Sequence, residues 1–70
     1  MENINKFSVR LRELRIDKKL SILELAKETK ISKSSISRWE NGQADIKAYQ
    51  LVILANFFDV SIDYLLGCDK

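Results

Sequence analysis

Two glycines and no proline in 70 residues leave this chain little from which to build tight turns. A β-barrel or sandwich needs such residues at every reversal, roughly every 8–12 positions. The same scarcity excludes collagen-like, Pro-rich and Gly-rich low-complexity classes. Short helices joined by capped turns remain, and the polar residues fall where helix caps are needed. Phe7, Leu11 and Leu14 recur on one face of a first helix, expected from about Asn5 to Lys18. Ser21-Ile22-Leu23-Glu24 fits the S-x-x-E capping box and opens a second helix that ends near Thr29-Lys30. Ser32 caps a third helix, Lys33 to about Glu40, stopped by Asn41-Gly42. Asp45 is expected to cap a fourth, from about Ile46 to Phe58, and Ser61 a fifth that ends at Leu66-Gly67. The expectation is an all-α, five-helix bundle, residues 1–70 forming a single domain.

Residue content narrows the chemistry. The chain has no histidine and one cysteine, Cys68, so no zinc cluster, Cys/His dyad or disulfide framework is expected, and no cofactor. A chain this short is also expected to have no room for a pocket of about 300 Å³, and no small-molecule ligand or enzymatic activity follows. The longest apolar run, Leu51 to Ala55, falls far short of a membrane span. Met1 to Asn5 shows no signal-peptide pattern, and the location expected is cytoplasmic. Charge is uneven: residues 1–50 carry eleven Lys/Arg against seven Asp/Glu, whereas residues 51–70 carry one against three. A basic front and an apolar, slightly acidic tail suit an anionic polymer on one side and packing on the other.

Residues Ile22 to Trp39 have the outline of a helix-turn-helix, two helices of two turns joined by a tight turn. Ala26 supplies the small residue at the crossing, and Leu25, Ile31, Ile36 and Trp39 are the apolar pins. On a helical wheel Lys33, Ser34, Ser37 and Arg38 lie opposite Ile36 and Trp39, with no carboxylate among them. Such a face matches base edges and phosphates, although any surface helix also turns polar residues outward.

Leu20-Ser21, Glu24-Leu25-Ala26, the run Ile31 to Gly42 and the segment Val60 to Gly67 closely resemble the Cro/phage-repressor (XRE-like) helix-turn-helix family. The resemblance spans residues 7–67 and implies a five-helix DNA-binding domain, with the third helix in the major groove. By position, Lys33, Ser34 and Arg38, with Ser37 beside them, fall where the family reads bases. Ser32 lies at the recognition-helix cap, and the main chain at Ser21, Ile22 and Asn41 at phosphate-clamping positions. Arg10 is either a further phosphate contact or a solvated surface charge. Arg15 and Glu40 fall where the family forms an ion pair, and Arg15, beside core Leu14, needs a partner at the core margin. The chain departs from the family in Ile22 for Gln, Lys30 for a turn Gly, Gln43 for Lys and Ile46 for Pro. Lys30 restores one cation at the phosphate edge but sits where a left-handed residue costs about 1 kcal/mol.

The fourth helix carries two apolar stripes. Leu51, Leu54, Ala55 and Phe58 form the expected core side, and Tyr49, Ile53 and Phe57 a second. A helix apolar all round is either buried all round or offered to a partner. Ile53, Phe57, Val60 and Tyr64 are the candidate homodimer contact, centred on Phe57. The function expected is a sequence-specific transcriptional regulator, a repressor that binds double-stranded DNA at a two-fold operator. The alternative is a protein-interaction module, such as an antitoxin or anti-repressor subunit.

Overall fold

A computed structural model describes residues 6–43 and 45–68. Five helices follow in order: α1 (Lys6–Asp17), α2 (Ile22–Thr29), α3 (Lys33–Glu40), α4 (Ala48–Phe58) and α5 (Ile62–Leu66). Three serines set the starts of α2, α3 and α5. Ser21 Oγ accepts from the Glu24 N–H at 3.0 Å while Glu24 Oε1 accepts from the Ser21 N–H at 2.8 Å. Ser32 Oγ accepts from Ser35 N–H at 3.1 Å, and Ser61 Oγ from Tyr64 N–H at 3.0 Å. Each cap contributes about 1 kcal/mol.

The fourth helix corrects the sequence expectation. It begins at Ala48, two residues later than expected, and Asp45 does not cap it. The Lys47 main chain opens it instead, its N–H donating to Gln50 Oε1 at 2.9 Å. Asp45 is drawn away because Trp39 Nε1 donates to its Oδ1 at 2.7 Å.

Gly67 makes the left-handed stop of α5, and with so few glycines ordinary residues make three others. Lys19, Lys30 and Asp59 all adopt φ 59°. At Lys19 and Asp59 the following N–H reaches back across the turn, Leu20 to the Arg15 carbonyl at 3.1 Å and Val60 to that of Ala55 at 3.0 Å, which satisfies carbonyls left over at a helix end. Glycine at position 30 would adopt this φ without the side-chain penalty. Lys30→Gly is therefore expected to raise stability by up to about 1 kcal/mol, a rise of roughly 4–8 °C in Tm for a domain of this size. An unchanged or lower midpoint in a thermal melt would show that the Lys30 side chain stabilises the turn by other means.

The core draws on every helix. Leu11, Leu25, Ile36, Trp39, Leu54 and Leu65 are fully buried; burying each such side chain is worth about 1.5–3 kcal/mol. Helix α1 packs on α3 and α5, while α2 packs on α3 and α4. Helix α3 is thereby gripped along one side. Ser8 of α1 ties it further, donating its hydroxyl to the Trp39 carbonyl. No helix among the described residues is long and apolar enough to cross a membrane.

The second stripe of α4 divides. Ile53 and Phe57 are half-buried and pack against the core, as does Val60. The Phe57 ring meets Phe58 edge-on at 5.0 Å, and the Lys18 ammonium lies 5.6 Å from its centre. Tyr49 and Val52, in contrast, are 62% and 45% exposed. The outward apolar face of α4 is thus centred nearer Tyr49 and Val52 than Phe57.

Candidate nucleic-acid interface

Helix α3 is two-sided because its sequence is. Ile36, Trp39 and Glu40 are buried, whereas Lys33, Ser34 and Arg38 are exposed and Ser37 is half-buried between them. The first turn of α3 presents Lys33 and Ser34 beside the Ser32 cap, and the last turn presents Arg38. Asn41, just past the helix, is exposed, and its N–H is shared between the Ser37 and Arg38 carbonyls at 3.1 Å each.

The edges of this face are polar as well. Ser21 and Lys30, at the two ends of α2, are exposed. The Ile22 side chain is half-buried and packs against the core. What Ile22 offers a phosphate is therefore its main-chain N–H in the first turn of α2, where no intrahelical acceptor exists.

An ion pair joins the end of α3 to α1. Arg15 Nε donates to Glu40 Oε2 at 2.7 Å and Arg15 Nη2 to Glu40 Oε1 at 3.0 Å, a two-pronged contact. The Glu40 side chain is 2% exposed and that of Arg15 14%. The Glu40 hydrogen bond raises the Arg15 pKa above its usual value. Arg15 Nη1 also donates to the Leu20 carbonyl at 2.7 Å, and Arg12 Nε approaches Glu40 Oε1 at 3.4 Å. One carboxylate at the end of α3 thus holds two arginines of α1.

Two features of the fold lie beyond the local sequence. Arg10, a candidate phosphate contact, donates Nη1 to the Tyr64 carbonyl at 2.6 Å and lies 4.1 Å above the Tyr64 ring. Tyr64, a candidate dimer residue, is half-buried under that guanidinium. The two residues therefore clamp α1 to α5. A cation over an aromatic face gains from the ring quadrupole. The expectation that so short a chain leaves no room for a pocket is corrected. An open groove of about 530 Å³ lies between α1 and the end of α3, lined by Val9, Arg12, Glu13, Asn41 and their neighbours.

Asp45 is the residue that sequence reasoning misplaced. Besides the Trp39 N–H it accepts from Arg38 Nη2 at 3.0 Å, across an exposed pair. The Trp39 hydrogen bond, then that of Arg38, holds the Asp45 carboxyl below the usual carboxylate range. A lowered folded value means that the ionised form favours folding. That contribution is complete above the ordinary Asp value of about 3.9 and is lost as pH falls through the lowered one. The available signal was Trp39 itself, since a buried indole N–H needs an acceptor.

Among known proteins, the helix-turn-helix family profile matches residues 11–65. An uncharacterized HTH-type transcriptional regulator of Bacillus subtilis (strain 168), YobD, is 45% identical over 58 residues, which are 83% of this chain and 52% of that protein. The HTH-type transcriptional activator BcrR of Enterococcus faecalis is 36% identical over 65 residues, 93% of this chain and 32% of that one. The chain thus spans about half of one relative and a third of the other. No solved structure gives a significant match.

Proposed function

The chain belongs to the helix-turn-helix family of transcriptional regulators, and from that premise we propose that it reads a two-fold related operator through α3, as a homodimer acting as a repressor. The observation that carries this reading is the division of α3, with Ile36, Trp39 and Glu40 buried and Lys33, Ser34 and Arg38 exposed. Cations and hydroxyls without a helix-borne carboxylate suit the donor and acceptor pattern of a major groove. Lys33, Ser34, Ser37 and Arg38 are assigned to bases. The main chain at Ser21, Ile22 and Asn41, together with Lys30 and the Ser32 cap, is assigned to phosphates, which set register. Repression needs nothing beyond occupancy, because a bound dimer excludes polymerase. One relative is named an activator, and the direction of regulation is tested separately by transcription from an operator-bearing promoter.

Binding is expected to weaken steeply as salt rises, because each Lys or Arg on a phosphate displaces condensed counterions. Affinity for a duplex selected from a random pool, measured against scrambled duplex across salt, tests this. A flat response, or no preference for the selected site, sinks the reading.

The dimer contact is assigned to the outward side of α4, where Tyr49 lies between Val52 and Ile53, with Phe57 and Val60 at its margin. A contiguous apolar face on so small a domain favours self-association, and a two-fold axis lets the patch meet its own copy. The axis must set the two α3 helices about 34 Å apart. Val52→Glu is expected to keep the helical circular dichroism of the wild type while sedimenting as a monomer and losing most operator binding. A wild type that is itself monomeric at high concentration removes the homodimer and favours a docking site for a different protein.

A further inference from the structure

Helix α3 carries no acid on its outward face, yet the loop after it brings one there. Asp45 is held at two points that differ in kind. Its Oδ1 accepts from the indole of Trp39, a residue only 1% exposed, so the carboxylate is anchored to the core. Its Oδ2 accepts from Arg38 Nη2 at 3.0 Å at the exposed end of the reading face. Trp39 and Arg38 are neighbours in sequence, about 100° apart on the helix, one buried and the other exposed. A single side chain outside the helix thus links its buried side to its reading side.

Two consequences follow for Arg38. A guanidinium on a flexible stem is biased toward one direction before any DNA arrives, with one of its five N–H donors engaged and the others available. Its charge is also balanced locally. Attraction to phosphates depends on net charge and fades with that balance, whereas bonding to a base edge depends on directed donors, which remain. We infer that Asp45 is a specificity-determining residue, which aims Arg38 at a base edge and suppresses its attraction to phosphates. The inference rests on the proposal that α3 enters the groove, and it adds a residue outside the helix-turn-helix to the reading machinery.

The test compares the full chain with Asp45→Ala, Asp45→Asn, Arg38→Ala and the Asp45→Ala/Arg38→Ala double variant. Each is titrated with the selected duplex and with scrambled duplex across salt. Asp45→Ala is expected to bind scrambled DNA several-fold tighter, with a salt slope steeper by about one phosphate contact. Its preference for the selected site should fall about tenfold. Asp45→Asn keeps an acceptor for the indole but loses the charge, so it should melt close to wild type and still lose part of that preference. In the Arg38→Ala background, removing Asp45 should change the preference less than about twofold.

An unchanged preference in both Asp45 variants overturns the inference, as does an equal loss with and without Arg38. Either result leaves the DNA-reading role of α3 intact, provided the wild type prefers its selected site. A wild type with no such preference removes that role and this inference together.

Discussion

Glu40→Ala should lose about 3–5 kcal/mol of folding stability, because it leaves the Arg15 guanidinium at the core margin without its counter-charge. The total stability of a 70-residue domain is roughly 3.5–10 kcal/mol at 0.05–0.15 kcal/mol per residue. The variant should therefore lose from about a third to all of that stability, a result that urea or thermal denaturation reads directly. Burial sets the magnitude. The Glu40 side chain is 2% exposed and accepts two bonds from Arg15, whereas an exposed pair would be worth less than about 1 kcal/mol. Arg15→Met strands the carboxylate instead and also removes the donor to the Leu20 carbonyl, so it should cost a similar amount. Changing both, Arg15→Met with Glu40→Leu, should recover much of the loss, since replacing a whole buried pair with apolar groups is often neutral. Losses below about 1 kcal/mol for both single variants would show that the pair is solvated in solution.

The second large effect falls on recognition. Arg38→Ala should relax base preference at one or two positions of each half-site by about 1–3 kcal/mol, the range for a two-pronged contact. Because Arg38 lies on the exposed side of α3 and its bond to Asp45 is solvent-exposed, the fold should be little affected. Lys33→Ala and Ser34→Ala should act at neighbouring positions. Selection of preferred sites from a random pool for each variant maps the changes. An equal loss on selected and scrambled duplex would reassign Arg38 to a phosphate.

Much of this architecture is legible in the sequence because its boundaries are local chemistry. Ser21 with Glu24, Ser32 and Ser61 satisfy N–H groups within three residues, so no tertiary knowledge is needed to place the starts of α2, α3 and α5. Asp45 was misplaced because its local option, capping a helix one residue later, competes with a distant one. The Trp39 indole, fixed in the core, offers a donor that only the folded chain brings near. The contact between Arg10 and Tyr64 is hidden from the sequence for the same reason, since the 54-residue separation between them is closed by α1 packing on α5. A helical wheel of α4 likewise shows which residues share a face, but not how far neighbouring elements cover Phe57 while leaving Val52 open.

Eight residues of α3 are fewer than the 12–15 or so at which an isolated helix becomes even marginal in water. Held by Ile36, Trp39 and Glu40, it has no independent stability and cannot open without breaching the core. The reading element and its scaffold consequently melt as one cooperative unit. Little ordering entropy is left to lose on contact with DNA, but no reserve remains either. Any core substitution that lowers the melting point also lowers the fraction of molecules with α3 in place. On the proposed function, temperature-sensitive alleles should therefore arise at buried positions on all five helices, including those that carry no DNA contact, with operator occupancy declining along the melting curve itself.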